Sequence, residues 1–491
     1  MGIVQRDSFR VTLIAYAGAA IGFLNKVFLF TNFLETEQVG LANLLITISL
    51  IYAQLAALGS RNIITRFFPF FNDAGRQHHG FLFATLSLGM AGFVLASLLF
   101  VILRQPFVLL YQDSSPLLVD YAYYLIPLAL ATLYFNLFES YLRSVFKNTI
   151  PTLAHEILLR ILITVAISLY AFQLISFPAF VALYVTVHCV PALGLTLYAA
   201  WKGLLLVRPR WSPLLRRLGR IMLVYGLYSL LNNLGTFLLV SIDSLMVAGL
   251  IDLGAAGIYT TMIFMTSVML IPYRSMVKVA GPLIAGFWKR RSMKELQGVY
   301  RKATASNLVV GAAIFLLIWV NLDAIFRFMA PEYAAGRYVF LMLGVGKLFD
   351  MSAGLNATIL GTSRKFRYDL LFTLAMVAFA LLTNRMLIPI WGINGAALAS
   401  MLTLILFNLL RMGFIYYHFR LQPFMPRHLA VPLLMVAIIL LSYQTGQMGH
   451  LLVDVALRSA LAMAIFLVPL WWLNVSPELK GWAKEMVKGR F

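Results

Sequence analysis

The sequence predicts an all-α, polytopic membrane protein with about fourteen transmembrane helices, in two pseudo-symmetric six-helix bundles plus two C-terminal helices. Of the 491 residues, 61% are hydrophobic and only 12% are charged, whereas a soluble domain has about 25% charged residues. Apolar runs of the length that crosses a bilayer, about 20 residues, recur along the whole chain. Because these runs are long and continuous rather than alternating, they favour helices over barrel strands.

The predicted spans follow one another with short connections. They lie roughly at 9–33, 38–60, 79–103, 116–140, 150–172, 177–201, 219–249, 253–276, 302–322, 335–360, 367–390, 393–417, 428–445 and 451–474. The predicted domains are a six-helix lobe at 1–203, a basic linker at 204–218, a second six-helix lobe at 219–420, and the last two helices with a tail at 421–491.

The charge of the connections predicts the orientation. Lys and Arg gather at both ends of the chain and in alternate connections, while the intervening connections hold only Arg104, Arg327, Arg337 and Arg385. Basic loops stay on the cytoplasmic side of a membrane. We therefore expect both termini in the cytoplasm.

A weak internal repeat supports two parallel halves. Gly40 opens the second predicted span and Arg61 lies 21 positions later, while Gly257 opens the eighth and Lys278 also lies 21 positions later. Six helices per half return the chain to the same side, so the halves would be related by an axis along the membrane normal. This arrangement is typical of transporters that rock two bundles about a central cleft.

Several classes of function lack their motifs. The single cysteine, Cys189, excludes a disulfide framework or a thiolate metal cluster. His155 and Glu156 resemble the start of a zinc-protease motif, but position 159 is Leu. No phosphate-binding loop is present, so we expect no cofactor, no bound metal and no internal ATPase. The net charge of +21 lies between apolar spans and indicates anionic phospholipids or an anionic substrate rather than nucleic acid.

Some predicted intramembrane charges have a partner on the same helix. Glu139 with Arg143, Glu156 with Arg160, and Asp454 with Arg458 are four residues apart with the acid first, and Lys347 and Asp350 are three apart. Neutralisation within a helix explains these pairs. The acids Glu139, Glu156 and Asp243 are nevertheless the candidates for coupling transport to an ion gradient.

Five cations have no such local partner. Lys26 lies in the first span, Arg61 and Arg66 at the end of the second, and Arg274 and Lys278 at the end of the eighth. A mid-membrane charge costs about 2.5–3.5 kcal/mol on insertion scales, so it needs a partner or a wet cavity. Snorkelling to the interface is the alternative for Lys26 and Arg66. If these spans line the cleft, the five residues form a substrate-binding site for a diphosphate or an acidic glycan.

The chain also resembles the polysaccharide and oligosaccharide flippases of the multidrug/oligosaccharidyl-lipid/polysaccharide (MOP) superfamily. The resemblance rests on degenerate motifs along most of the chain. They are 33–40, Ile242-Asp243 with Gly257-Ile-Tyr259, 356–365 (NATILGTSRK) and 392–397 (GINGAA). The family often has a basic residue directly after the aspartate, where this chain has Ser244.

The resemblance implies a flippase that moves an undecaprenyl-diphosphate-linked oligosaccharide from the cytoplasmic to the outer leaflet of a bacterial inner membrane. It would do so by alternating access, for cell-surface polysaccharide synthesis. It implies cavity cations for the diphosphate or sugar acids, at places comparable to those of Lys26, Arg61, Arg274 and Lys278. It further implies that the last two helices guide the lipid tail, and that glycosyltransferases and a polysaccharide polymerase are partners.

Other functions remain open at this stage. A lipid II flippase or a cation-coupled drug exporter of the same superfamily would share the spans, although a drug exporter should hold acidic rather than basic cavity residues. A membrane-embedded glycosyltransferase, ligase or polymerase would need a substantial outer loop, and no predicted outer connection exceeds roughly fifteen residues. The intramembrane charges disfavour a purely structural scaffold.

Overall fold

The computed structural model describes residues 3–73, 77–207, 209, 212–444, 451–478 and 480–481, and in these residues all regular structure is helical. The chain divides into two compact units, Met1–Gly257 and Ile258–Phe491. The first unit contains α1 (Ile3–Phe23), α2 (Thr36–Ala56), α3 (Ser60–Phe71), α4 (Phe81–Ile102), α5 (Arg104–Tyr111), α6 (Leu125–Ser144), α7 (Leu159–Ala171), α8 (Phe177–Trp201) and α9 (Pro213–Leu250).

Helix α10 (Leu253–Ser267) begins in the first unit and continues into the second. The second unit contains α11 (Leu270–Arg290), α12 (Met293–Val320), α13 (Arg337–Ala353), α14 (Asn356–Thr362), α15 (Arg367–Phe419), α16 (Ala430–Gln444) and α17 (Leu451–Trp472). Shorter helical segments are Leu24–Leu29, Phe30–Phe33, Gln77–Gly80, Pro116–Asp120, Ala122–Tyr124, Thr149–Leu153, Ala154–Leu158, Leu322–Phe326, Pro331–Gly336 and Pro426–Leu429.

The helices confirm a polytopic membrane fold. Among the described residues, ten helices are long and apolar enough to cross a membrane, and two bent pairs bring the number to twelve. Helix α15 is interrupted at Gly392, where φ is 57° and ψ is −136°, and a shorter apolar helix occupies Pro426–Ser442. With these two features the elements follow the order of the predicted spans.

Several of the roughly placed boundaries differ from the structure, and two of these differences bear on the site. The second span does not run to residue 60: α2 ends at Ala56, and Leu58 (φ 45°) and Gly59 (φ 75°) turn the chain into a separate helix, α3. The seventh span starts before residue 219, because Pro213 opens α9 and the Ser212 side chain accepts a hydrogen bond from Leu215 N at 3.1 Å. The helix thus begins inside the predicted linker, of which Arg208 and Arg210 lie outside the described residues.

Close backbone packing places α9 in the first unit. A Cβ at Gly59 would collide with the carbonyl oxygen of Gly226 on α9, and no side chain larger than hydrogen fits there. The glycines of the sequence repeat have the same role, because Gly40 lies against the Leu253 carbonyl and Gly257 against the Thr36 carbonyl. The predicted lobe limits near 203 and 219 stay a prediction.

Helices α3 and α11 are both amphipathic, with one buried apolar face each. On α3, Ile64, Phe67, Phe68 and Phe71 are buried, at the spacing of one helix face. On α11 the buried residues are Ala280, Ile284 and Phe287. Burial of these faces fixes each helix within its own unit, and it leaves the basic residues of α3 and α11 on the other side.

Candidate functional site: two cationic helices

In the first unit, two arginines converge on one largely buried carboxylate. Arg61 on α3 lies 3.2 Å from Glu139 Oε2, and Arg143 lies 2.8 Å from Glu139 Oε1. The Glu139 side chain is 12% exposed, while those of Arg61 and Arg143 are 34% and 51% exposed. The two guanidinium groups, called the Arg61 fork below, bind the Glu139 carboxylate between them, and their exposed parts remain accessible to a ligand. The Glu139–Arg143 pair predicted within one helix is confirmed.

Arg66 lies one turn further along α3 and has an aromatic platform instead of an acid. Its guanidinium carbon is 4.4 Å from the ring centroid of Tyr225 on α9 and 5.8 Å from that of Phe67. A cation over an aromatic face is stabilised without losing its charge. The exposed side chain of Arg66 is thus held against α9, whereas Arg61 pairs with α6.

Lys26 has different partners from Arg61. It lies in the wider, π-helical turn Leu24–Leu29, where its ammonium donates to Asn43 Oδ1 on α2 and is 4.6 Å from the Phe30 ring centroid. Such wide turns are frequent at functional sites. Within the first unit, the Lys26 ammonium thus contacts the Asn43 amide and the Phe30 ring.

A second polar network joins the turn that holds Lys26 to α7. Arg160 pairs with Glu156, which confirms the predicted pair, and also donates to the Gly18 carbonyl. Asn25 donates to the Arg160 carbonyl at 2.8 Å and accepts from Thr164 Oγ1 at 2.8 Å. Glu156 itself lies in another π-helical turn, Ala154–Leu158. Sequence reasoning missed the roles of Asn25 and Thr164, although the polar interruption of the first apolar run at Asn25 was a signal for them.

The third ion-coupling candidate, Asp243, is 4% exposed on α9. It is thus buried within a long apolar helix of the first unit. In the described residues, no group of three His, Cys, Asp or Glu side chains could hold a metal ion.

In the second unit, Arg274 and Lys278 are exposed on α11. Being four residues apart, they lie on the same helix face. Helix α11 follows α10 after a bend of 53°. Each unit therefore has a helix with two cations that starts after an interruption: α3, with Arg61 and Arg66, follows the turn that ends the span α2, and α11, with Arg274 and Lys278, is the second half of a bent span.

A buried amide pair crosses the second unit next to the bend between α13 and α14. Asn408 donates to Asp350 Oδ1 at 2.8 Å, and Asn356 donates to Asn408 Oδ1 at 2.7 Å. The predicted local pair of Lys347 and Asp350 is incomplete as a description, because the Lys347 ammonium donates to three oxygens of α10. The sequence signal for Asn356 was its place in the segment 356–365.

The second unit also carries an apolar groove. A cavity of about 450 Å³ is lined almost entirely by hydrophobic side chains. Its walls come from α12, α13, α15 and the region before and within α16, with Leu308, Phe349, Leu409, Phe424 and Met435 as examples. A groove of this composition suits a hydrocarbon chain rather than a polar ligand.

Solved structures of transporters have the same fold. The chain is similar to the lipid II flippase MurJ in an inward closed conformation, with a TM-score of 0.70 and 12% identity over 93% of this chain and 98% of that one. It is also similar to an inward-facing multidrug resistance MATE family transporter of the MOP superfamily, with a TM-score of 0.60 and 16% identity over 82% and 94% of the two chains.

A MATE transporter in complex with MaL6 is a further structural neighbour, with a TM-score of 0.56 and 15% identity over 85% of this chain and 97% of that one. No family model matches the sequence, and no curated protein sequence matches it. The likenesses therefore concern the fold: the chain has the multi-pass helical fold shared by the flippase and drug transporters of the MOP superfamily.

Proposed function

We propose that the protein is a flippase for an anionic lipid-linked oligosaccharide. Its substrate would be an undecaprenyl-diphosphate-linked glycan, moved by alternating access from the cytoplasmic to the outer leaflet of a bacterial inner membrane, with both termini in the cytoplasm. The observation that carries the proposal is the fork of Arg61 and Arg143 around the Glu139 carboxylate. Donors that hold a carboxylate in this way also suit a phosphate oxygen.

Further cations in each unit are candidate ligands for the headgroup. Arg66 and Lys26 in the first unit, and Arg274 and Lys278 in the second, would bind the diphosphate or the sugar acids. Guanidinium and ammonium groups in a partly desolvated site bind phosphate more strongly than in water. Both cationic helices start after an interruption of the helical chain, and their cations lie on the side opposite to the buried face.

The apolar groove of the second unit would take part of the lipid tail. Its volume of about 450 Å³ and its lining of Leu, Phe, Met and Val side chains fit an isoprenoid segment. In this proposal the charged headgroup binds to cations, and the lipid tail stays in a hydrocarbon environment. Anionic phospholipids, glycosyltransferases and a polymerase are the expected partners.

A lipid II flippase is the second candidate, because the flippase among the structural neighbours has a TM-score of 0.70 over nearly both whole chains. Its substrate has the same undecaprenyl diphosphate and differs in the glycan. The MATE neighbours raise a drug exporter as an alternative. However, three arginines, Arg61, Arg66 and Arg143, stand against the single Glu139 carboxylate in this part of the first unit, and this excess of positive charge would repel a cationic drug.

The experiment is a protection assay in proteoliposomes with fluorescent substrates added to one leaflet. Undecaprenyl-diphosphate oligosaccharide, lipid II and a cationic dye are compared with the purified protein. Preferential flipping of the oligosaccharide supports the proposal. Preferential flipping of lipid II would change the substrate, and movement of the dye alone would refute a diphosphate site.

A further inference from the structure

The joint between α10 and α11 is an interrupted helix end within a membrane-spanning element. Val268 N bonds back to Met265 O at 3.4 Å and Met269 N to Thr266 O at 3.3 Å, three residues back rather than four. These bonds are long, so the hydrogen-bond ladder of α10 ends near Ser267 and the chain bends by 53° into α11. A helix C-terminus carries partial negative charge on its last carbonyls, which is unfavourable in a low-dielectric interior.

The ammonium group of Lys347 on α13 lies at this joint. Its Nζ is 2.8 Å from Thr266 Oγ1 and 3.0 Å from both Ser267 Oγ and the Ile263 carbonyl oxygen. Thr266 is fully buried. Three oxygens within hydrogen-bond distance match the three N–H groups of an ammonium.

The geometry requires these three oxygens to act as acceptors. The Thr266 hydroxyl donates its proton to the Met262 or Ile263 carbonyl, at 2.9 and 3.0 Å, and the Ser267 hydroxyl donates to the Ile263 carbonyl at 2.6 Å. The lone pairs of both hydroxyls are then free to face Nζ. A carbonyl and two hydroxyls at the C-terminal end of a broken helix are the ligand types with which transporters bind small monovalent cations.

We propose that Lys347 is a tethered cation that occupies a monovalent cation site at the end of α10. Its charge neutralises the helix end, and its stem ties α13 to the joint that precedes the cationic face of α11. Asp350 on the same helix interacts with the Lys347 charge and accepts a hydrogen bond from Asn408 on α15, but it supplies none of the three oxygens at the end of α10. The site would bind Na⁺ when the ammonium is removed and the three oxygens are kept. Such binding requires only these ligands and is independent of the transported substrate.

The test is the thermal unfolding of purified full-length Lys347→Ala in NaCl and in choline chloride at equal ionic strength. Choline is too large for the site, so it controls for screening. We expect Na⁺ to raise the melting temperature of Lys347→Ala by several degrees, saturably, and to raise that of the wild type less. Adding Thr266→Val to Lys347→Ala should abolish the Na⁺-specific shift, because it removes one ligand.

Equal melting temperatures of Lys347→Ala in the two salts would overturn the proposal, as would a Na⁺ shift that survives Thr266→Val. If Lys347→Ala cannot be purified, Thr266→Val and Thr403→Val are compared in the otherwise wild-type chain. Thr403 is the matched control, because it is buried and its hydroxyl donates to the Ala399 carbonyl at 2.7 Å. A larger loss of melting temperature for Thr266→Val supports the tethered cation, and equal losses refute it.

Discussion

The breaks before α3 and α11 differ in kind and in their contacts. Helix α2 is long enough to span a membrane by itself, and after it the chain turns through left-handed residues, with Gly59 packed directly on the backbone of α9. Helices α10 and α11 form one bent span, in which Met269 keeps helical angles, φ −59° and ψ −30°, and the ammonium of Lys347 donates a hydrogen bond to the end of α10. Backbone packing lies at the first break, and a charged side chain lies at the second. The two halves thus place cations after breaks that different residues contact.

The largest effect is expected at the first break. Gly59→Ala places a methyl group against the Gly226 carbonyl at a positive φ, and unfavourable backbone geometry alone costs about 1–3 kcal/mol. We expect loss of folded protein in detergent, measured by size-exclusion profile and melting temperature. Gly286→Ala on α11 is the control, since a methyl group there would have no neighbouring atom within 4 Å. An unchanged Gly59→Ala protein would show that this break is not fixed by packing.

Arg61→Ala should cause the next largest effect, on transport rather than folding. Loss of a charged hydrogen bond of about 1.5–3 kcal/mol corresponds to a drop of about tenfold to a hundredfold in flipping rate or affinity. Arg61→Lys keeps the positive charge but removes the planar guanidinium, so it shows whether charge alone is enough or whether the geometry of the guanidinium donors is needed. The exposed Arg385→Ala is the control. Wild-type flipping by Arg61→Ala would leave the fork with a structural role only.

Lys278→Ala tests whether the cationic helices of the two halves have equivalent roles. If α3 and α11 have equivalent roles, this variant should reduce flipping by the same order of magnitude as Arg61→Ala. The Arg61 side chain is paired with Glu139, whereas Lys278 is exposed on its helix face, so the melting temperature should change less. A flipping rate within about twofold of wild type would assign the headgroup to the first unit alone.

The smallest effect is expected for the acids. Glu139→Gln keeps the shape of the fork but removes the carboxylate charge, and Asp243→Asn removes the charge of a buried acid on α9. If they couple flipping to an ion gradient, both variants should lose the response to an imposed proton gradient or potential, with about 2.3 kcal/mol available per charge per 100 mV. Glu156→Gln tests the remaining candidate. Rates that are identical with and without a gradient in the wild type would indicate a facilitator.

Residue patterns within one helix were readable from the sequence. The pairs Glu139–Arg143, Glu156–Arg160 and Asp454–Arg458 are confirmed, because a spacing of four residues fixes neighbours on a helix face. The predicted pair of Lys347 and Asp350 was incomplete, because the two charges interact but each side chain also has partners on other helices. Its spacing allowed contact, but oxygens on α10 and an amide on α15 offered these side chains other partners.

The membrane class, the order of the spans and the identity of the cationic segments could be predicted from the sequence alone, because hydrophobic length and local spacing are properties of consecutive residues. The three-dimensional structure was needed to show that Arg61 shares Glu139 with Arg143, that Gly59 faces Gly226, and that Lys347 lies at the end of α10. These contacts join residues far apart in the chain. They depend on which helices pack together and at what distance, and no local pattern specifies that.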